Sequence, residues 1–298
     1  MNKDLLTLRD LTKEDIGAII KRGEEFKRGS LKNVKSLEGK TIGLIFDKAS
    51  TRTRVSFEVA THRSGGNAIF LTPSDTQIAR GEPIKDTARI LSSYLDGLIV
   101  RTYAQDQLEE LAEWSRVPVI NALTDLYHPC QILSDLMTVD EKRGTLDNLR
   151  VAWIGDGNNV ANSWINAATI LEFDLTMACP QAYEPKPDIL ADTSTNVKLV
   201  NTPQEAVRNA TIIYTDVWAS MGKEDETERR IKDFTGWQVD QSLIDLADKD
   251  VLVMHCLPAH RGEEITDEVM EGPRSIIFAQ AENKLYAHQA ILEMMIKP

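Results

Sequence analysis

Five consecutive residues, Ser50-Thr51-Arg52-Thr53-Arg54, carry the densest chemistry in the chain. They follow an apolar run, Ile42 to Phe46, of the length and composition of a buried strand. They precede Val55-Ser56-Phe57-Glu58-Val59-Ala60, whose apolar residues are spaced as on a helix. A strand, a polar turn and a helix start aim unpaired N–H groups and the positive end of a helix dipole beyond the strand. Hydroxyls and guanidinium forks added there suit the acceptor oxygens of a phosphate. A capping Ser or Thr beside solvated arginines is the plainer alternative. Three hydroxyls and two arginines in five residues favour the phosphate.

Other chemistry-bearing residues recur at strand ends. Gly97 to Val100 reads as a strand that delivers Arg101, and "YHPCQ" places His128 and Gln131 on one side of a helix start. Together these form the floor of a polar pocket. "YTDVWASMG" sets Asp216 at a strand end, a carboxylate available to an ammonium group. "MHCLPAHRGEEIT" offers His255, Cys256 and His260, but their spacing matches no common zinc set. Cys256 can be inert packing or a ligand contact, and Leu257-Pro258 suits a cis turn. "WIGDGNN" has Gly155 and Gly157 but Val160 at the third glycine position, and the next strand ends in Cys179-Pro180-Gln181 without a ribose-binding acid. The dinucleotide fingerprint therefore fails, and a tight strand-to-helix turn is the better reading.

Elements that could position these residues alternate regularly. A helical start over Leu5–Arg22 carries Thr12 as a cap and Asp15 in the first turn. Strands are expected at 68–71, 97–100 and 117–120, helices at 84–94 and 107–114, and a long helix opening near His128. "TPSDTQIARGEP", with Gln77, is a loop. After "GTLDNLR" the pattern restarts, with strands at 151–154, 175–178, 211–214 and 251–254. Gly222 to Lys232 is a solvated loop or helix, and an amphipathic helix over about 281–296 packs back on the first half. The fold class is α/β: two domains, each a parallel sheet with helices on both faces. The expected domains are 1–146, 147–280 and the closing helix 281–298. Ligands of such sheets bind outside the carboxyl ends of the strands, so the expected site is an interdomain cleft.

The 298 residues carry a formal net charge of −12, which argues against nucleic-acid or anionic-membrane partners. A phosphate site must then be a local pocket in which the arginines converge. Three cysteines without paired spacing fit a reducing compartment. With no apolar leader and no span-length segment, the expected location is cytoplasmic.

"STRTRVSFE", "HPCQ", "GDGNN", "DVWASMG" and "MHCLPAHRGEEIT" resemble the signature stretches of ornithine carbamoyltransferases, in that order and over essentially the whole chain. The resemblance implies transfer of the carbamoyl group of carbamoyl phosphate to the δ-amine of L-ornithine, giving citrulline and phosphate. It implies that Ser50, Thr51, Arg52, Thr53 and Gln77 hold the phosphate. Arg101, His128 and Gln131, with Pro129 and Cys130 between, would surround the carbamoyl group. Asn159, Asp216, Ser220 and Met221 would bind ornithine, and Cys256 and Leu257 would lie between the ligands. Catalysis would fall to Arg101, His128, Gln131 and Cys256, with no metal or organic cofactor. The implied assembly is a homotrimer or a higher assembly of trimers. Two positions depart from the usual family pattern: Lys284 stands in "AENKL" where arginine is usual, a point charge instead of a bidentate fork, and Ala279 stands where an acidic residue is common. Other readings are a transcarbamoylase for aspartate, putrescine or N-acetylornithine, or a silent carbamoyl phosphate-binding relative.

Overall fold

Strand β1 (Thr41–Phe46, TIGLIF) is buried at every residue after the first. Successive strand residues face opposite sides, so burial along a whole strand means that both faces of its sheet are covered. The computed structural model describes residues 2–30, 34–72, 76–77, 81–191, 193, 196–219 and 226–296. The chain forms two units, residues 1–142 with 282–298, and residues 143–281.

The first unit adds β2 (Asn67–Leu71), β3 (Gly97–Arg101) and β4 (Val119–Leu123) to β1 in a parallel sheet of order β2-β1-β3-β4. Helices α1 (Lys13–Lys27), α2 (Thr51–Arg63), α3 (Ile84–Tyr94), α4 (Gln105–Trp114) and α5 (Pro129–Arg143) complete it. Thr12 begins α1 through a capping box: its hydroxyl accepts from Asp15 N, and the Asp15 carboxylate accepts from Thr12 N, both at 3.2 Å. The expected helix over Leu5–Arg22 is therefore too early. Leu5 is instead tied into the sheet, donating its N–H to Val119 O at 2.9 Å and accepting from Asn121 N at 2.8 Å. Gly97 opens β3 because a Cβ there would lie 2.4 Å from Ile296 Cδ1.

The second unit is a five-stranded parallel sheet built from β5 (Arg150–Ile154), β6 (Asp174–Ala178), β7 (Val197–Val200), β8 (Ile212–Thr215) and β9 (Leu252–His255). Its order is β7-β6-β5-β8-β9. Helices α6 (Asn159–Leu171), α7 (Pro187–Ala191), α8 (Pro203–Val207), α9 (Thr227–Asp233) and α10 (Gln241–Ile244) lie between the strands, and α11 (Asp267–Glu271) follows the last of them. Strand β7 was not foreseen in the sequence, because it is a four-residue edge strand with no buried position. The last helix, α12 (Ile277–Met295), starts earlier than expected, and its residues from Glu282 onward belong to the first unit. Of the segment 222–232, residues 227–232 are helical and 222–225 lie outside the described residues.

Both sheets reverse direction beside their first strand. In the first, β1 lies between β2 and β3; in the second, β5 lies between β6 and β8. Loops leaving adjacent strands at such a reversal diverge and open a crevice at the carboxyl edge. The residues emerging there are Ser50–Thr53 and Arg101 in one unit, and Asn158, Asn159 and Asp216 in the other.

Candidate active site

In the first unit, β1 and β3 run in register with Phe46 opposite Arg101, so the turn after β1 and the end of β3 share one edge. Arg101 is 6% exposed, and its carbonyl accepts from Asp47 N at 2.8 Å. The pairing of β3 with β4 slips between Val100 and Arg101, the kind of irregularity that re-aims a terminal side chain. Ser50 occupies the N-cap of α2 with extended backbone, yet its hydroxyl makes no capping bond. Thr51, Arg52 and Thr53 form the first turn, beside the helix's open N–H groups.

The two arginines do not converge. Arg54 pairs with Glu58 at 3.0 Å and lies over the Phe70 ring at 3.4 Å, one turn along the helix. An arginine two residues after Arg52 points about 200° around a helix, so only one of the pair can face the strand ends. Arg52 is the remaining candidate, half-buried in the first turn.

His128, 4% exposed, immediately precedes α5. Burial, then Lys284, then Arg101, hold its imidazole well below the usual histidine range. It is thus a neutral donor at neutral pH. Gln131 is oriented at both ends of its amide: Nε2 donates to Asp135 Oδ1 at 2.7 Å, and Oε1 accepts from Lys284 Nζ at 2.8 Å. Lys284 is 3% exposed and also donates to Thr53 Oγ1 at 3.4 Å, so it is a buried cation built into the site edge. The Cys130 thiol donates to Asn121 O at 3.3 Å, and burial pushes its pKa up to about 12. Its side chain is packing, and Pro129 beside it is buried. Gln77 is exposed in a bend and accepts from Glu82 N at 3.2 Å.

The second unit builds its polar cluster from three adjacent strands. Asn158 caps α6, accepting from Val160 N at 2.9 Å and Ala161 N at 3.1 Å, and its Nδ2 donates to Asp216 Oδ2 at 2.7 Å. The other carboxylate oxygen of Asp216 accepts from Cys256 Sγ at 2.9 Å and Val217 N at 2.8 Å. Loops after β5, β8 and β9 thus meet in one network around a carboxylate that is 6% exposed. Asn159, half-buried, follows as the first residue of α6. Ser220 and Met221 lie outside the described residues.

Two supports were missed in the sequence. Asn158 reads there as a neighbour of Asn159, although an Asn before an apolar helix is itself a capping signal. Arg230 reads as part of a solvated segment, yet it is 4% exposed, pairs with Asp156 at 3.2 Å and donates to Trp218 O at 2.7 Å. Leu257, with φ +58°, donates its N–H to His255 Nδ1 at 2.9 Å, and His255 Nε2 faces Glu264 Oε1 at 2.9 Å. The lone pair on Nδ1 puts the proton on Nε2, which donates to the carboxylate. The Leu257-Pro258 bond is cis. Asp216, His255 and Cys256 are grouped closely enough to hold a metal, as are His260, Glu263 and Glu264. In the first group these atoms already bond to one another or to the backbone.

Two family models cover the chain. Residues 3–141 match the carbamoyl-P binding domain of aspartate/ornithine carbamoyltransferase, and residues 147–295 match its Asp/Orn binding domain. The chain belongs to the aspartate/ornithine carbamoyltransferase family. Among family members, the ornithine carbamoyltransferase of Syntrophus aciditrophicus is 52% identical over 99% of this chain and 100% of its own length. An ornithine carbamoyltransferase of Pseudomonas aeruginosa described as anabolic is 50% identical over 99% and 97%. The structure of ornithine carbamoyltransferase from Pyrococcus furiosus superposes with a TM-score of 0.92 at 48% identity, covering 97% of this chain and 95% of that one.

Proposed function

We propose that the protein is an ornithine carbamoyltransferase, transferring the carbamoyl group of carbamoyl phosphate to the δ-amine of L-ornithine to give L-citrulline and phosphate, within arginine metabolism. The observation that carries the choice of acceptor is the buried Asp216 carboxylate, held by Asn158 and Cys256. A buried carboxylate needs a charged partner, and the α-ammonium of free ornithine is one. An acetylated α-nitrogen carries no charge, and putrescine has no α-carboxylate for Asn159 to meet.

On this reading Ser50, Thr51, Arg52 and Thr53, with Gln77, hold the phosphate at the start of α2. Arg101 and neutral His128 donate to the carbamoyl oxygen, where charge develops as the amine attacks. One such donor contributes about 3–4 kcal/mol. Gln131, with its amide fixed, takes the carbamoyl nitrogen, and Lys284 supplies a positive charge beside Thr53. Pro129 and Cys130 contribute backbone. Asn159, Asp216, Ser220 and Met221 bind ornithine, and Cys256 and Leu257 border the reacting groups. The δ-amine attacks in its neutral form, at a cost of about 4 kcal/mol for a group of pKa near 10. The C–N bond forms, the C–O bond to phosphate breaks, and the amine proton leaves with bulk base or phosphate.

The active species is a cytoplasmic homotrimer or an assembly of trimers, in line with the family. Among the described residues no helix is long and apolar enough to cross a membrane. The test is citrulline formation from carbamoyl phosphate with a panel of L-ornithine, aspartate, putrescine and N-acetylornithine, with light scattering for assembly. Preference for any acceptor but ornithine refutes the acceptor assignment, and a fully active monomer refutes the trimer.

A further inference from the structure

We propose that His288 is a positioning residue for the carbamoyl phosphate turn, acting through Ser56 on the first turn of α2. His288 is fully buried on α12, one turn beyond Lys284 and therefore on the same side of that helix. Lys284 reaches the Thr53 hydroxyl, and His288 reaches the residue three further on, with Nδ1 2.8 Å from Ser56 Oγ. Its ring stacks on Phe57 with centroids 3.7 Å apart and planes 8° from parallel. Two side chains of α12 thus grip α2 at Thr53 and at Ser56–Phe57.

Only the Nδ1–H tautomer lets the Ser56 hydroxyl make both of its contacts. The single hydroxyl proton of Ser56 is donated to Thr53 O at 3.1 Å, so Ser56 Oγ accepts from Nδ1–H. Burial, then Lys284, holds the imidazole well below the ordinary histidine range, so the ring is neutral and Nε2 carries a lone pair. Nε2 is buried and makes no hydrogen bond among the described residues. A buried acceptor without a donor is a cost that a phenyl ring of the same shape would avoid. Packing on Phe57 alone therefore does not account for an imidazole here. The Nδ1–H does: it holds the Ser56 hydroxyl, and through it the Thr53 carbonyl, in the turn that carries Ser50 to Thr53.

The inference rests on assigning that turn to phosphate. Carbamoyl phosphate saturation kinetics and thermal melting on the full-length enzyme test it, using His288→Phe, His288→Asn and Ser56→Ala, with Arg52→Ala as the control on the assignment. His288→Phe keeps the ring but removes the donor. It should leave the melting temperature nearly unchanged and raise KM for carbamoyl phosphate about three- to tenfold, the scale of one neutral hydrogen bond. The KM for ornithine should not move, and Ser56→Ala should follow His288→Phe. His288→Asn removes the ring but restores an N–H at the Nδ1 position, so it should melt earlier while KM for carbamoyl phosphate returns towards wild type. A KM that follows melting temperature across the variants, or that stays level in all of them, overturns the inference. If Arg52→Ala leaves KM unchanged, the phosphate assignment itself falls; if only Arg52→Ala raises it, the assignment stands and the role of His288 does not.

Discussion

Single side chains in both units are held by partners that constrain what each can do. Lys284 is the clearest case, because it departs from the family pattern and is nevertheless fully built in, donating to Gln131 at 2.8 Å and Thr53 at 3.4 Å. Lys284→Met keeps the aliphatic stem and removes the charge and its hydrogen bonds. Charge-assisted bonds are worth about 1.5–3 kcal/mol, so KM for carbamoyl phosphate should rise at least about tenfold. Lys284→Arg has to fit a planar fork into a closed site, and a few-fold change is expected. Equal affinities for wild type and both variants would place Lys284 outside the site. Cys256 belongs to the same scale. It is only partly buried, so Cys256→Ala should shift the melting temperature little, while removing a donor from Asp216 lowers turnover with ornithine. A large loss of stability with normal turnover would show that the thiol is packing.

At the scale of elements, strand–turn–helix alternation was legible wherever burial runs along a strand or a helix stripe is long. Helix α3 covers 84–94 as its spacing demands, and the central strands lie within two or three residues of their expected bounds. What failed depended on contacts between distant segments. Leu5 leaves its helical pattern because the sheet edge at Val119 and Asn121 captures its backbone, and β7 has too little burial to alternate. The direction of Arg54, the tie between Asn158 and Asp216 and the depth of Arg230 are likewise set by partners many residues away. Gly157 shows how tightly one such turn is made. A Cβ there would fall 2.3 Å from Pro185 N and 2.6 Å from Glu184 C, both backbone atoms. The tight-turn reading of "GDGNN" thus has a steric basis. Gly157→Ala must displace either that segment or the Asn158 cap, costing about 1–3 kcal/mol. Chemical denaturation should show this loss, and KM for ornithine should rise as Asn158 shifts from Asp216. An unchanged midpoint would mean that the loop yields freely.

For the molecule as a whole, the two buried imidazoles of the first unit make stability depend on pH. His128 feels the charges of Lys284 and Arg101 and the nearby His288, and His288 feels that of Lys284, with Ser56 and Phe57 against its ring. Both are held neutral, mainly by burial and next by Lys284. In the unfolded chain each regains a value near 6.5. Between that value and the lower native one, the unfolded state binds more protons, so stability rises with pH in this window. Above about 6.5 both states are neutral and the contribution is constant. On acidification from pH 7 to 5.5 stability should therefore fall, with each histidine adding up to about 1.4 kcal/mol per pH unit. Carboxylates with ordinary values near 4 contribute little until lower pH. Urea denaturation at several pH values measures the slope, and His288→Asn should reduce it by close to one proton whatever it does to the absolute stability. A midpoint that stays level from pH 7 to 5.5, or a slope that His288→Asn leaves unchanged, would mean that these imidazoles find room to charge in the native state.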